Sequence, residues 1–325
     1  MTPLVALAVA VGAAGAIAAA VTPAGLLVRP ERPLTGYGSH AVRTGADGFP
    51  REAVGADDAI ARLARPPRRI VSQSMSADEF LYAIGPHERI VGVSEAAYLQ
   101  GLSNVYDVVR AHEPIVATDV ERVLRSDPDI VFAPAEGRPD MPGLLRSAGV
   151  PVYRMPTMFE TLGSIEEHIR LVGYLSGEDA RAEAEARKFR MAVDRAVARK
   201  PAGSPSPRVM GFGGAYSYGS KTLFSDILRV LGAENVAATN GFVGYDRVTD
   251  EHIVRWDPEW IVAGADRGRV EDVRQRLLEH PAIGATAAAR RGQVVVFEHH
   301  VFLTLSPLTA RFVEALADAL YGGQS

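Results

Sequence analysis

The sequence predicts an α/β protein made of two three-layer α/β/α lobes with mainly parallel sheets, joined by one long backbone helix. Three observations predict it. The first is an internal repeat. Glu121-Arg122-Val123-Leu124-Arg125-Ser126-Asp127-Pro128-Asp129-Ile130-Val131-Phe132-Ala133 returns 130 positions later as Glu251-His252-Ile253-Val254-Arg255-Trp256-Asp257-Pro258-Glu259-Trp260-Ile261-Val262-Ala263. Glu, Arg, Asp-Pro and the closing Ala are kept, with apolar matching apolar between them. The second is the alternation of short apolar runs with helical stretches around both copies, the pattern of parallel strands with covering helices. The third is the segment 164–200 between the copies, built almost wholly of helix-forming residues.

Taken in order, residues 1–28 read as a signal peptide or N-terminal anchor, since no charge occurs from Pro3 to Val28 and Ala, Val and Leu dominate. Ala18 and Ala20 fit the small-residue rule of a signal-peptidase site, while about 25 apolar residues also suffice for a retained anchor. Met1-Thr2-Pro3 lacks the basic residue of an ordinary signal, and Pro23 with Gly25 argues against a third reading, a packed core helix. Either of the first two readings puts the lobes outside the cytoplasm. Residues 29–66, aperiodic and rich in Gly, Ser and Asp, are expected to be a linker or leader.

The N-terminal lobe, 67–163, opens on the strand Ile70-Val71-Ser72, followed by a polar loop and a helix over 78–85 that Gly85 stops. Ile90-Val91-Gly92-Val93 is a second strand, and the repeat adds a short helix and a strand. A helix over 141–148 and the strand Val150-Pro151-Val152-Tyr153 close the lobe. Each repeat helix is expected to stop before Asp-Pro, because a residue preceding proline is pushed out of the α region. In the inter-lobe segment, 164–206, Ser164 and Glu167 have capping-box spacing. Gly177 divides the run, and 178–198 reads as one charged-faced helix of about five or six turns. A rigid connector of this kind limits two lobes to small relative motions. The C-terminal lobe, 207–325, repeats the scheme with a strand at Val209, a helix over 223–232, strands over 260–263 and 294–297, and an amphipathic helix over 307–321.

A chain of 325 residues accommodates about two domains. Its 47 % hydrophobic and 23 % charged content is that of a globular protein with proper cores. A net charge of −4 gives no electrostatic basis for a nucleic-acid partner. The absence of cysteine excludes disulfides, thiolate metal sites, cysteine nucleophiles and a lipid-modified N-terminal cysteine, so the chain is not a lipoprotein.

The order and spacing of several phrases carry a resemblance. Arg69-Ile70-Val71-Ser72, Leu81-Tyr82-Ala83-Ile84-Gly85, Arg89-Ile90-Val91-Gly92-Val93-Ser94, the two Asp-Pro elements, Gly149-Val150-Pro151-Val152, Ile169-Arg170-Leu171-Val172-Gly173 and Leu231-Gly232-Ala233-Glu234-Asn235-Val236-Ala237 follow one another in this chain. Over roughly residues 67–322 it resembles the substrate-binding proteins of ABC importers for vitamin B12, ferric siderophores and haem. The resemblance implies docking through one Glu on each lobe, here Glu121 and Glu251, against arginines of the two permease subunits. It also implies that Tyr245 lines the pocket as an aromatic does in B12-binding members. The corresponding place in the first lobe is Ile115, a departure from a matched aromatic pair. Read without the resemblance, each Glu is also a favourable first-turn residue facing a helix dipole.

Ligands of parallel α/β sheets bind at the carboxyl ends of the strands. The loops expected there carry Tyr98 and Phe159 in the first lobe, and Tyr216, Tyr218, Phe242, Tyr245, His299, His300 and Phe302 in the second. Aromatics are only 7 % of the chain, so this concentration marks a candidate ligand-binding wall, suited to a large, partly apolar chelate or macrocycle. Any one of these rings alone reads equally well as a core-edge residue. The glycines of 213–219 are expected to let backbone approach the ligand. Imidazole suits haem iron and phenolate suits ferric iron, but neighbouring histidines on an extended segment point to opposite faces, so at most one of His299 and His300 reaches the cleft. No cluster has the spacing of a protein-held metal and no nucleophile–base constellation is visible. Catalytic residues, a metal site and a resident cofactor are therefore not expected.

The reading is an extracytoplasmic binding protein, not an enzyme, that captures a metal chelate between its lobes and delivers it to an ABC permease dimer in the cytoplasmic membrane. It is expected to be monomeric. A ferric siderophore or haem is preferred over cobalamin, on the Tyr and His content and on Ile115. The alternatives are a cobalamin-binding protein of the same class, a chelatase-like enzyme, and a stand-alone chelate sensor that would not need Glu121 and Glu251.

Overall fold

The structure is a computed structural model, in which residues 48–109, 114–115, 119–136, 140–302 and 304–322 are described. The expected signal or anchor over 1–28 lies outside these residues. The expected leader does not hold over its second half. β1 (Arg51–Val54) and β2 (Ile60–Leu63) form an antiparallel hairpin. Ala53, Ala61 and Leu63 point inward as the period of two requires. Arg51 fastens the hairpin to the rest of the molecule. Its guanidinium lies 4.4 and 4.6 Å from the ring centres of Phe49 and Tyr174 and pairs with Asp179 at 2.7 Å.

The first lobe consists of β3 (Ile70–Ser72), α1 (Met75–Ile84), β4 (Ile90–Ser94), β5 (Pro114–Ile115), α2 (Val120–Arg125), β6 (Ile130–Pro134), α3 (Met141–Ser147) and β7 (Val152–Met155). Its five strands are parallel in the order β5-β4-β3-β6-β7. Two antiparallel helices follow, α4 (Leu162–Ser176) and α5 (Asp179–Val197), turning at Gly177 in the left-handed region. The connector is therefore a helical pair. Its capping box joins Thr161 to Ser164, one turn earlier than the Ser164–Glu167 spacing suggested.

The second lobe contains β8 (Arg208–Phe212), β9 (Tyr216–Tyr218), α6 (Leu223–Val230), β10 (Glu234–Asn235), α7 (Val236–Thr239), β11 (Tyr245–Arg247), α8 (Asp250–Trp256) and β12 (Trp260–Ala265). It continues with α9 (Val270–Glu279), α10 (Pro281–Gly284), α11 (Ala287–Arg290), β13 (Val294–Glu298), α12 (His299–Phe302) and α13 (Thr309–Tyr321). Its main sheet is parallel in the order β10-β8-β12-β13, while β9 and β11 pair antiparallel beside it. In both lobes the first strand is central, the next lies on one side and the later ones on the other. That shared winding places the carboxyl ends of all main-sheet strands at one edge of each lobe.

The repeat also reproduces a pattern of caps and backbone hydrogen bonds. The Asp119 carboxylate accepts from the Arg122 N–H to cap α2, and Thr249, 130 positions later, accepts from the His252 N–H to cap α8. Both helices end on an aspartate in the left-handed region, Asp127 at φ 45° and Asp257 at φ 40°. An arginine closes each end, Arg69 donating to the carbonyls of Ser126 and Asp127, and Arg208 to those of Trp256 and Asp257. The carboxylates of Asp129 and Glu259 accept in turn from the backbone N–H of Arg69 and Arg208, each at 3.0 Å. Helix termination thus rests on an arginine clamp around the pre-proline aspartate, and proline alone is not the stop.

Strand alternation sorts the core. Ile70, Ile130 and Phe132 face one way and join the spine residues Ile165, Tyr174 and Phe189, and through them Val209, Phe224, Val262 and Phe312 of the second lobe. Val71, Val131 and Ala133 face the other way in one smaller cluster, and Met210, Ile261 and Ala263 in another. Gly173 lets the spine helices touch, since a Cβ there would fall 2.1 Å from that of Ala182.

Asp78 and His168 are both sealed in this inner core. Asp78 accepts from the Ser94 N–H and hydroxyl, but burial outweighs these bonds and pushes its carboxyl up to about 6. His168 donates Nδ1–H to the Ser164 carbonyl and accepts from the Tyr153 hydroxyl, and burial pushes it down to about 4. The raised acid contributes stability below its unfolded value of 3.8 that is lost as pH rises through about 6. The depressed imidazole contributes stability above 6.5 that is lost as pH falls through about 4. Between those limits the two slopes oppose each other. Asp78→Asn should therefore lose stability on acidification more steeply than the wild type, by up to about 1.4 kcal/mol per pH unit. Denaturant melts across that window read it, and parallel stability curves for the two proteins would refute it.

Candidate functional site

The second lobe supplies most of the site. β9 and β11 bring Tyr218 opposite Tyr245, just beyond the carboxyl end of β8. Tyr218 is 9 % exposed, with its ring centre 5.3 Å from Phe224, 5.5 Å from Tyr245 and 5.8 Å from Phe302. Gly211 and Gly213 make room for it. A Cβ on Gly211 would fall 2.3 Å from the Tyr218 ring, and one on Gly213 2.7 Å from its hydroxyl. Of the glycines expected to admit a ligand, Gly213 thus accommodates a tyrosine of the protein itself, Gly219 accommodates Phe242, and only Gly214 faces open space. Tyr245 remains 42 % exposed, and Tyr216 and Phe302 are half-buried, so these form the accessible side of the cluster. Desolvation raises the Tyr218 phenol well above its ordinary range and that of Tyr245 to about 12.

His299 and His300 open the helical turn α12, so the expected extended geometry does not hold. His299 is 8 % exposed and lies against Gly264, while His300 Nδ1 is 3.2 Å from Glu298 Oε2. Phe242, at 9 % exposure, packs edge-on against Trp256 at 4.9 Å and belongs to the core of its lobe.

In the first lobe, Tyr98 closes the 3₁₀ turn Glu95–Tyr98 after β4, is half-buried, and donates its hydroxyl to the Val109 carbonyl. Phe159 does not join the site. It is 3 % exposed, packed on Phe80 and His168 at 5.8 and 4.9 Å, because the chain is already turning into the spine there. Ile115 lies in β5, and its side chain is outside the described residues. A depression of about 190 Å³ on the spine, bordered by Leu162, Glu166, Phe189 and Arg190, holds none of the candidate side chains.

Side chains that carry no signal in the sequence tie the lobes together. Asn104 Nδ2 lies 2.8 Å from Glu79 Oε1, 2.7 Å from the His300 carbonyl and 3.3 Å from Thr304 Oγ1. The Ser76 hydroxyl donates to the Leu305 carbonyl at 2.6 Å. Glu79 is 2 % exposed and also accepts from the Asn104 N–H; burial raises its carboxyl. The turn that carries His299 and Phe302 is therefore held from the opposite lobe. Ser76, Glu79 and Asn104 form no spaced motif, so only the fold brings them together. Glu121 and Glu251 are both exposed, on the first turns of α2 and α8.

The chain belongs to the periplasmic binding protein family, which it matches over residues 70–299. A cobalamin-binding protein of Halobacterium salinarum is 30 % identical over 293 residues, covering 88 % of this chain and 78 % of that protein. A vitamin B12-binding protein of Yersinia pestis is 27 % identical over 214 residues, covering 65 % and 74 %. Among solved structures, the periplasmic heme-binding protein RhuT of Roseiflexus sp. RS-1 superposes with a TM-score of 0.66 at 24 % identity, covering 79 % of this chain and 99 % of that one. The periplasmic vitamin B12 binding protein BtuF of Vibrio cholerae does so with a TM-score of 0.64 at 20 % identity, covering 80 % and 99 %. These likenesses show the fold, two α/β lobes with parallel sheets.

In a two-lobe binding protein the cross-lobe ties set how firmly one wall of the site is held. Asn104→Ala removes the amide and leaves the buried Glu79 short of a donor, a loss of about 1–3 kcal/mol. Amide exchange over residues 299–306 should rise in this variant while β3 and β6 stay protected. Equal exchange in the two proteins would show that Asn104 does not hold the turn.

Proposed function

We propose that this chain is an extracytoplasmic receptor that captures a metal chelate, cobalamin first among the ligands to test, and delivers it unchanged to an ABC permease. The observation that carries the delivery role is the matched pair of exposed glutamates, Glu121 and Glu251, on turns with equivalent caps, equivalent left-handed ends and equivalent arginine clamps. A protein that only sequesters its ligand needs no such pair. One that docks on a two-fold permease does, because both halves of the receptor must present the same charge to equivalent partners.

For the ligand, support comes from the relative that is 30 % identical over 88 % of the chain and is named a cobalamin-binding protein. That moves the preference among metal chelates from haem or another ferric complex towards cobalamin. Binding and release would need no chemistry, consistent with a family of binding proteins. Export would rest on the apolar segment 3–28, cleaved as a signal or kept as an anchor. Among the described residues no helix is long and apolar enough to cross a membrane.

The ligand assignment is tested by titrating the full chain with cyanocobalamin, haemin and ferric siderophores while following tryptophan fluorescence. Both tryptophans, Trp256 and Trp260, lie in the second lobe. Saturable quenching by cyanocobalamin is expected. Quenching by haemin or a siderophore alone would replace cobalamin as the ligand, and no response to any of them would remove the chelate reading.

Docking is tested separately by charge reversal. Glu121→Lys combined with Glu251→Lys should abolish stimulation of the cognate permease while ligand affinity stays within about twofold, since exposed substitutions of this kind barely touch stability. Undiminished stimulation by the double variant would remove the docking role.

A further inference from the structure

His299 occupies an unusual setting at the carboxyl end of the second sheet. It follows β13 directly, and β12 and β13 pair in register up to Gly264 opposite Phe297 and Ala265 opposite Glu298. Gly264 is what lets the imidazole lie there. A Cβ on Gly264 would fall 2.5 Å from His299 Nδ1 and 2.6 Å from Cε1, so this edge of the ring rests on bare backbone. Nδ1 is buried and has no hydrogen-bond partner among the described residues. Nε2 is not enclosed in that way, and it is the nitrogen left for a ligand.

This asymmetry decides the tautomer. A neutral imidazole carries one N–H and one lone pair. An N–H buried without an acceptor is among the rarest and costliest arrangements in proteins, whereas an unused lone pair is tolerated more readily. The proton therefore sits on Nε2. Burial also disfavours the doubly protonated form, and it outweighs the opposing influence of Asp266.

A histidine that coordinates metal through Nε2 must carry its proton on Nδ1. Such ligands almost always pass that proton to a carbonyl, a carboxylate or water. Here Nδ1 meets Gly264 instead. We infer that His299 is a specificity-determining hydrogen-bond donor, offering Nε2–H to a carbonyl or carboxylate on the periphery of the bound chelate, and that it is not an axial ligand of the metal. The turn is held for this task by the bond from Asn104 to the His300 carbonyl and by the packing of Phe302 on Tyr218 and Phe312.

The inference rests on the chelate-receptor reading, and the test separates the two. The full chain and its variants His299→Gln and His299→Phe are titrated with cyanocobalamin, with aquacobalamin, whose axial water can be exchanged, and with haemin. Tryptophan quenching gives affinity and the visible spectrum reports coordination. The glutamine amide restores an N–H donor, so His299→Gln should bind cyanocobalamin within about threefold of the wild type. His299→Phe should bind about three- to tenfold more weakly, the range of one neutral hydrogen bond. The visible bands of bound aquacobalamin should be the same in all three proteins.

A coordination shift with aquacobalamin or haemin that appears in the wild type and vanishes in His299→Gln would make His299 a metal ligand and overturn the inference alone. Equal affinity of the phenylalanine variant and the wild type would overturn it too, because the imidazole would then make no contact that matters. No binding of any probe by the wild type would overturn the receptor reading and take this assignment with it.

Discussion

The architecture depends on one continuous apolar core that does not stop at the lobe boundary. The inward-facing strand residues of the first sheet pack on the spine helices, and the same helices pack on the inward face of the second sheet. Gly173 sets how close this can come, because its missing side chain lets α4 and α5 meet at Ala182. Around the contact, Glu166 accepts from both Arg170 and Arg190, at 2.8 and 2.6 Å, so the polar face of the helix pair is tied as well. A wide swing of one lobe would tear apolar surface out of this shared core, at roughly 25 cal/mol for each Å² exposed. Small displacements that slide packed side chains need not do so. The hairpin fastened by Arg51 adds to the stiffness on the side of the first lobe.

Stiffness gives meaning to the exact repetition of the two helix turns. A charge on a loosely held loop can adjust to whatever partner arrives. Glu121 and Glu251 instead sit on helices whose starts are capped by side chains and whose ends are clamped by arginines. The shared core of the spine resists changes in how the two lobes carry them. On the proposed reading, the receptor presents two charges at a set distance, and the permease selects for that distance as much as for the charges.

What the sequence disclosed follows from what its signals encode. The repeat exposed the two lobes because the pre-proline aspartate and the carboxylate two residues on perform the same local backbone task in both copies, and local tasks leave fixed spacings. The sheets were legible because buried parallel strands are nearly all apolar, as in Ile130-Val131-Phe132. Tertiary destinations were not. Phe159 and Tyr245 look alike as loop aromatics, yet one is sealed against His168 and the other is 42 % exposed. Gly213 advertises close approach without saying what approaches, and the answer is Tyr218. Asn104, nearly 200 residues from the carbonyl it holds, has no neighbour in sequence to betray it. The hairpin was missed because its two strands are only four residues long and are interrupted by the polar turn that first suggests a tether.

The chemistry of the wall bears on release as much as on capture. A receptor that hands its cargo on must let go, and a coordinate bond from protein to metal would have to be broken at the membrane before transfer. On the proposed reading, aromatic side chains and a single imidazole N–H make no such bond. Their affinity would come from many modest contacts that a small parting of the walls weakens together. The ties from Asn104 and Ser76 hold the turn of His299 and Phe302 in its place across the two lobes. Release then needs only a slight opening, which is the motion that a shared core permits.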